Sequence, residues 1–172
     1  MARRMQKVSD ANVYVNNDNK HGLAAEVVCP NVSYIMNEYN ALGMIGTARF
    51  PDGIEAMEAT IKWMYPDNDA LIELANPYEA VDIMVRSNQG VWAGEGRVEN
   101  RPIVIFLKGF PMQHQGGTFA SKTDVTLESQ IAVNYYRLEV AMEEIIEVDV
   151  LNNRLIIGGV DVMRQYRRNL GI

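Results

Sequence analysis

Four acidic side chains lie close together near the C-terminus and are the first candidates for chemistry: Glu143, Glu144, Glu147 and Asp149. Two neighbouring carboxyl groups can act as acid and base in a hydrolytic reaction. However, Glu147 and Asp149 alternate with the apolar Ile146 and Val148, which is typical of a strand with one face in water. The pattern favours a solvated strand face, and a small β-barrel binding domain or hydrolase is the alternative that these acids leave open.

Two histidines, one cysteine and a glycine-rich segment are the other candidates for metal, nucleophilic or phosphate chemistry. His21 and His114 lie in polar, turn-like contexts without the spacing of metal ligands. Residues 90–96 lack the Lys-Ser/Thr that completes a phosphate-binding loop. Cys29 precedes Pro30 in an apolar stretch, which favours a buried, unreactive thiol. We therefore predict no catalytic residue, no metal site and no cofactor.

Length and composition indicate one domain over residues 1–172, with an N-terminal arm at 1–10 and a C-terminal segment at 161–172. A chain of this size buries roughly 70% of the surface that its unfolded form exposes, so its core needs no disulfide or structural metal. The single cysteine and the lack of an apolar leader indicate a protein made in the cytosol. The longest apolar run, 103–107, is far shorter than the ~20 residues of a membrane helix, so we predict no membrane insertion.

Charge is distributed unevenly along the chain. Six of the 16 basic residues lie in residues 1–9 and 164–172, which contain no acid. Residues 10–163 therefore carry ten basic and 22 acidic groups, a net charge of −12, whereas the whole chain carries −6. This negative excess argues against a protein that grips nucleic acid. The basic ends are either solubilising tails or contacts to the acidic body of another copy.

Alternating apolar and polar residues predict that most of the chain is β-strand. The alternation is clear at 57–63 and 81–86, whereas 103–107 is apolar on both faces and should lie centrally in a sheet. A long pattern at 123–140 changes phase near Tyr135 and Tyr136. One extra residue at a β-bulge would produce this change and bend the strand.

Only two segments have the pattern of a helix. Asp67 is the predicted N-cap of a short helix at 69–75, and Asp161 the predicted N-cap of a helix at 162–170. Asparagines 152 and 153 predict the turn of a hairpin at 146–157, because asparagine tolerates a positive φ.

Three glycine-containing segments are predicted to connect these elements. Residues 88–97 and 111–122 are expected to be mobile loops. Residues 40–46 are apolar yet contain two glycines, and they lie between two strand-like segments. Exposed apolar residues at a flexible tip are unfavourable in a monomer and useful in an assembling subunit. We expect either an intermolecular contact or a plain hairpin end packed on its own domain.

The order of several segments resembles the major tail tube protein of contractile-tailed bacteriophages and of the related R-type pyocins. The resemblance covers nearly the whole chain and is most specific at its end. It is carried by 12–15, Pro30, 39–44, 53–59, 136–140, 147–149 with Asn152, 159–161 and 167–172. Two residues depart from the pattern, Cys29 where leucine is expected and Trp92 in the middle of the chain.

The resemblance implies a structural protein without enzymatic activity. It implies a mainly β (α+β) fold, a β-sandwich or partly closed barrel with a short flanking α-helix, whose sheets continue between subunits around a channel. Copies would form hexameric rings that stack into a hollow tube inside the tail sheath. The implied partners are further copies, the sheath protein, tape measure, baseplate and tail-terminator proteins, and double-stranded DNA that passes without specific binding. The implied location is the virion tail, assembled in the host cytoplasm.

The resemblance also implies roles for particular residues. The expected ring-stacking and subunit contacts are Asn40, Leu42, Gly43, Met44, Ile45, Arg164, Tyr166, Arg167 and Arg168. The candidates for an acidic lumen lining are Glu58, Asp124 and Glu128. A related alternative is the inner tube of a phage-derived contractile injection device, of the pyocin or type VI kind.

Overall fold

The computed structural model describes residues 4–114, 116–117, 121 and 127–172. The predicted lumen residue Asp124 lies outside the described residues, as do the first part of the predicted 123–140 strand and part of the predicted 111–122 loop. In the part of the chain that is described, neither helix is long and apolar enough to cross a membrane.

Twelve strands and two short helices follow one another along the described residues. The strands are β1 (Met5–Val15), β2 (Asp18–Asn19), β3 (Ala24–Val28), β4 (Tyr34–Tyr39), β5 (Ala48–Ile54), β6 (Met57–Trp63), β7 (Val81–Ala93), β8 (Gly96–His114), β9 (Leu127–Val140), β10 (Glu143–Asp149), β11 (Arg154–Ile157) and β12 (Val160–Asp161). The helices are α1 (Asn68–Glu73) and α2 (Arg164–Leu170). The mainly β fold is confirmed.

The main sheet is antiparallel and branches at β9. Its longest path runs β12-β11-β10-β9-β8-β7-β1-β2. The first half of β9 pairs with β6, and its second half pairs with β10 on the same edge, opposite β8. β6 pairs in turn with β3, while β4 and β5 form a separate two-stranded sheet. The sheet is therefore not a closed barrel.

A bulge in β9 lies where its partner changes. The pairing of β8 with β9 passes from Lys108 and Tyr135 to Gly109 and Val133, which leaves Asn134 as an extra residue. The inward-facing side chains of β9 change phase at this point, as predicted, with Tyr136 buried after Val133. Because a bulge bends and twists its strand, the two halves of β9 can join different partners.

The core lies between two folded-over parts of this sheet. Residues of β1, β6, β7 and β9 belong to one buried apolar cluster. Along the sheet, β7, β8 and β9 separate β1 from β6, so both strands reach one core only if the sheet folds back over itself. The enclosed Trp63 donates its Nε1–H to Ser129 Oγ at 3.0 Å, which satisfies the only polar atom of the indole. The predicted sandwich is confirmed.

The segment 88–97 is not the mobile loop that its glycines predicted. Residues 88–93 are the end of β7, and they pair with β1 on one side and with β8 on the other. Only residues 94–95 form the turn between β7 and β8. Residues 5–9, within the predicted N-terminal arm, are the strand that completes this three-stranded region. Pairing on both sides orders the backbone despite its glycines.

The two predicted helices exist, but only one has the predicted cap. The carboxylate of Asp67 accepts the Ala70 N–H at 3.0 Å at the start of α1. At α2 the N-cap is Met163, which has no side-chain cap bond. The predicted cap at Asp161 is wrong because this residue ends β12 and its carboxylate accepts hydrogen bonds from Met163 and Arg167.

Candidate functional site

A two-stranded hairpin arm, residues 34–54, projects from the sandwich. Within the described part of the chain, β4 and β5 pair only with each other, and every residue of β4 is exposed. At its base the arm is closed by a hydrogen bond from the Glu55 N–H to the Ser33 carbonyl. An isolated two-stranded hairpin is marginally stable in water. The pairing of β4 with β5 by itself therefore stabilises the arm only weakly.

The tip of the arm, residues 40–47, exposes the apolar residues that were predicted as subunit contacts. The side chains of Leu42 and Ile45 are 106% and 109% exposed, and that of Met44 is partly exposed. Gly43 has a φ of +87°, a conformation that glycine adopts at no steric cost. The turn is closed by the Met44 N–H, which donates to the Ala41 carbonyl. Asn40 is also exposed.

Near the tip, the two faces of the arm differ in polarity. Tyr39 and Phe50 lie on one face with their rings in edge-to-face contact at 6.3 Å. On the opposite face Arg49 donates two hydrogen bonds to Glu38. The aromatic face is exposed, so it is suited to contact with another chain.

The three C-terminal arginines differ in whether they form an ion pair within the chain. The Arg167 guanidinium forms a bidentate pair with Asp161 and donates to the Asn153 carbonyl. This hydrogen bonding holds the pKa of Asp161 below its usual range and raises that of Arg167. Arg164 and Arg168 make no ion pair with any described residue. Arg167 therefore fastens α2 to its own domain, whereas Arg164 and Arg168 have no such role among the described residues.

A groove of about 600 Å³ lies between the base of the arm, the β10–β11 hairpin and α2. Tyr34 and Ile54 form its wall on the side of the arm. Leu155, Val162 and Tyr166 form the opposite wall. The groove is predominantly apolar and open to solvent. Tyr166, predicted as a stacking residue, thus belongs to a wall of this groove.

One part of the main sheet ends in two unpaired edges. It consists of β3, β6, the first half of β9 and the end of β8. Among the residues that the structure describes, β3 pairs only with β6, and residues 110–114 of β8 pair only with β9. Because all four strands are antiparallel, the two edges run in opposite directions. Unpaired edges of this kind invite pairing with another chain.

The outer face of these four strands carries the predicted lumen acids. Glu58 is exposed on β6 and Glu128 is half-buried on β9. Lys62 lies on the same face, directly opposite Glu128 across the strands, and its ammonium group donates a hydrogen bond to Glu26 at 2.7 Å. The bond to Glu26 raises the pKa of Lys62. The structure thus brings Glu58 and Glu128 to one face, on which Lys62 offsets part of the acidic charge.

The acids of β10 do not form the solvated face that their alternation predicted. Glu147 is only 6% exposed, with Arg154 at 3.5 Å. Burial raises the pKa of Glu147, and the neighbouring Glu144 adds to this effect. Glu147 lies between two strands, with Arg137 of β9 and Ile156 of β11 as its cross-strand neighbours. No three His, Cys, Asp or Glu residues among those described are grouped as metal ligands. Cys29 is half-buried, and burial raises the pKa of its thiol.

Comparison with known proteins agrees with this mainly β fold. The family model described as phage tail tube protein FII matches residues 5–171. The chain belongs to this family. The resemblance found in the sequence is therefore confirmed.

A curated relative of this tube protein is the tail tube protein of Escherichia phage P2. The two are 25% identical over 172 residues, which are 97% of this chain and 98% of the relative. The similarity therefore extends over both chains from end to end.

Solved structures of contractile injection systems share the fold of this tube protein. The sheath–tube complex of the extracellular injection system PVC matches with a TM-score of 0.56 and 16% identity, over 75% of this chain and 87% of that chain. The PVC sheath/tube terminator matches with a TM-score of 0.55 and 16% identity, over 75% of this chain and 92% of that chain. The tube-terminating cap of the anti-feeding prophage matches with a TM-score of 0.51 and 16% identity, over 76% of this chain and 86% of that chain.

Sequence reasoning did not find the groove or the edge of β3. No short-range signal marks the groove, because its walls come from segments far apart in the chain. The edge of β3 was equally hidden, because a strand pattern does not tell which neighbours the strand has.

Proposed function

We propose that this tube protein is a structural subunit whose copies form hexameric rings, and that the rings stack into a hollow tail tube inside a contractile sheath. The observation that carries the proposal is the pair of unpaired edges, β3 and residues 110–114 of β8, on one four-stranded sheet. Membership of a structural tail tube family supports it, and the proposal includes no catalytic role.

The directions of the two edges allow each copy to pair with the next. The edge of β3 on one copy can pair with the end of β8 on the next, and this pairing is antiparallel, as in the rest of the sheet. Such a contact is head-to-tail, and head-to-tail contacts that close form a ring. Pro111 lies within the β8 edge, and proline inside a sheet is confined to edge strands and bulges. Each copy then covers the edge that its neighbour leaves open.

In the ring, the outer face of these strands would line the channel. Glu58 and Glu128 would then repel the phosphates of double-stranded DNA, which lets the genome pass without being bound. The proposed partners are the sheath, the tape measure, the baseplate and the tail terminator. The proposed location is the virion tail, built in the host cytoplasm.

Electron microscopy of the purified protein tests the assembly. We expect negatively stained samples to contain rings or hollow tubes, because the edges and the hairpin arm of each copy become covered only by other copies. The fraction of protein in assemblies should rise with protein concentration. A single compact species across a wide range of concentration and salt would contradict the proposal.

A charge reversal in the channel tests the conduit. We expect particles with Glu58→Lys to release DNA more slowly at low ionic strength, because each ring would present extra positive charges to the phosphates. The delay should become shorter as salt is added, since salt screens the attraction between exposed charges. Glu79→Lys, at an exposed acid outside the four strands, is the matched control. Equal release by both variants at low salt would place Glu58 away from the channel.

A second candidate is the inner tube of a phage-derived contractile injection device. It is favoured by the fold shared with the tube-associated proteins of PVC and of the anti-feeding prophage. The neighbouring genes separate the two candidates. A sheath gene beside tape-measure and capsid genes indicates a complete phage, and the lack of capsid genes indicates a device.

A further inference from the structure

The sheet end formed by β1, β7 and β8 carries two cations beside an indole on one face. Trp92 of β7 pairs with Met5 of β1 and with Arg97 of β8, which brings the three side chains to the same face. Lys7 follows Met5 by two residues and therefore lies on this face as well. Lys7 and Arg97 are exposed and form no ion pair with any described residue. We call Lys7, Trp92 and Arg97 the cationic face.

Gly90 lets the indole and the guanidinium of the cationic face pack together. A β-carbon at position 90 would lie 3.1 Å from Trp92 Nε1 and 3.6 Å from Arg97 Cδ, so glycine leaves room for both side chains. The Arg97 guanidinium carbon lies 5.9 Å from the centre of the Trp92 ring, within the range of a cation–π contact. The indole is still 41% exposed. Tryptophan and arginine are the residues most enriched at binding hot spots, so this face is suited to hold a partner.

The segment 64–78, which includes α1, presents the opposite charge together with exposed apolar side chains. It contains three acidic residues and no lysine or arginine. Asp69 is exposed and forms no ion pair with any residue that the structure describes. The side chains of Tyr78 and Ile72 are 91% and 71% exposed. The segment therefore matches the cationic face both in charge and in the apolar surface that a contact would bury.

The two surfaces of one chain lie at opposite ends of β7. The segment 64–78 ends three residues before Val81, the first residue of β7, whereas Trp92 is next to its last residue. β7 is held extended because it pairs with β8 along its whole length. At about 3.3 Å per residue, the strand separates Val81 from Trp92 by about 35 Å. The cationic face therefore cannot contact the segment of its own chain.

We propose that the cationic face of one copy binds the segment 64–78 of a second copy, a contact that rests on the proposed function. Arg97 pairs with Asp69 of the second copy, and the Trp92 indole covers Tyr78. Because the two surfaces differ and lie at opposite ends of the chain, the contact is head-to-tail and can be repeated from copy to copy.

Charge and apolar burial have different parts in this contact. Opposite charges orient the two copies as they meet, but an exposed ion pair contributes little affinity. Burial of the Trp92 indole contributes most of the affinity, since a large aromatic side chain leaves water. Trp92 is one of the two residues that depart from the family pattern, so we expect the contact to be particular to this chain.

Tryptophan fluorescence tests whether assembly covers the cationic face. The chain has two tryptophans, and Trp63 is only 2% exposed, so a change in emission on assembly reports chiefly on Trp92. We expect the emission maximum to move to shorter wavelength as tubes form, because the Trp92 indole leaves water. Trp92→Phe should remove this shift. Trp92→Ala should raise the protein concentration needed for tube formation by roughly tenfold or more, as expected of a hot spot.

A charge swap tests whether the segment 64–78 is the partner. We expect Arg97→Asp and Asp69→Arg each to raise the protein concentration needed for tube formation by roughly tenfold, because like charges would then face each other. The two changes together should restore assembly, since the pair is rebuilt with its charges exchanged. The matched control combines Asp69→Arg with Arg86→Asp, at an exposed arginine of β7 outside the cationic face, and should not restore it. Circular dichroism of each variant checks that the subunit is folded.

The outcomes separate this contact from the proposed function. Wild-type protein that never forms rings or tubes would overturn both. Tubes that form while the emission stays that of an exposed indole would overturn the contact and leave the proposed function in place. A shift in emission without recovery in the charge swap would show that another surface covers Trp92, and the segment 64–78 would be overturned as the partner.

Discussion

Gly109→Ala is expected to lower the free energy of unfolding by more than about 3 kcal/mol, the upper part of the range for overpacked sites. A β-carbon at this position would lie 2.8 Å from the Ala132 carbonyl carbon and closer still to its oxygen, and 3.0 Å from the Val133 Cα. All three atoms are backbone, so no side-chain rotation relieves the clash. β8 and β9 would have to separate at the bulge on which the branched sheet depends.

Thermal unfolding followed by circular dichroism, at one fixed protein concentration, measures the effect. A loss of this size corresponds to a fall in Tm of about 10 °C for a chain of this length, or to insoluble protein. Gly94→Ala is the matched control, because a β-carbon there would meet no atom within 4 Å. We expect the control to leave Tm nearly unchanged or slightly raised. Equal stability of the two variants would show that β8 and β9 can accommodate a β-carbon at position 109.

Asp67→Ala is expected to lower the free energy of unfolding by about 3 kcal/mol, because the Asp67 carboxylate makes two separate interactions. It caps α1 through the Ala70 N–H, a contribution of about 1 kcal/mol. It also accepts a hydrogen bond from Lys20 at 3.3 Å, and bonds to charged groups contribute about 2 kcal/mol. Lys20 is 2% exposed and has Asp18 as its other acidic partner. Burial by itself lowers the pKa of Lys20, but the hydrogen bonds to Asp18 and Asp67 outweigh it and raise the pKa.

Urea unfolding of a small set of variants separates the two roles of Asp67. Asp67→Asn keeps an oxygen for the cap. It should lose only the part of the free energy of unfolding that depends on the charge of the carboxylate. In a Lys20→Met background, Asp67→Ala should cost only about 1 kcal/mol, the worth of a cap. Asp69→Ala, at an exposed acid in the first turn of α1, should cost less than about 1 kcal/mol. If Asp67→Ala lowers the free energy of unfolding equally in the wild-type and Lys20→Met backgrounds, Asp67 and Lys20 are not coupled.

The strands were predictable where their signal is local. The alternation at 57–63 coincides with β6, and the phase change near Tyr135 marks the bulge at Asn134. Both follow from the two-residue period of side chains along a strand, which neighbouring residues alone determine. The cap of α1 was equally local, because Asp67 needs only the backbone three residues further on.

The errors came where partners from elsewhere in the chain decide the outcome. The glycines of 88–97 suggested a loose segment, but β1 and β8 pair with it on both sides. Asp161 was predicted to cap α2, but it ends β12 two residues before the N-cap Met163, and Arg167 engages its carboxylate. Glu147 had the alternation of a solvated residue, yet the neighbouring strands bury it. The roles of Glu58, Glu128 and the tip residues stay predictions.

The sequence by itself determined the strand content, the bulge, the apolar tip and, through its resemblance, the family, because these depend on the order of residues along the chain. The tertiary structure decided the branching at β9, the open edges of β3 and β8, and the groove between Tyr34 and Tyr166. Each of these arises where segments distant in sequence meet. The period of a strand fixes which face of it is apolar but not which strands lie beside it.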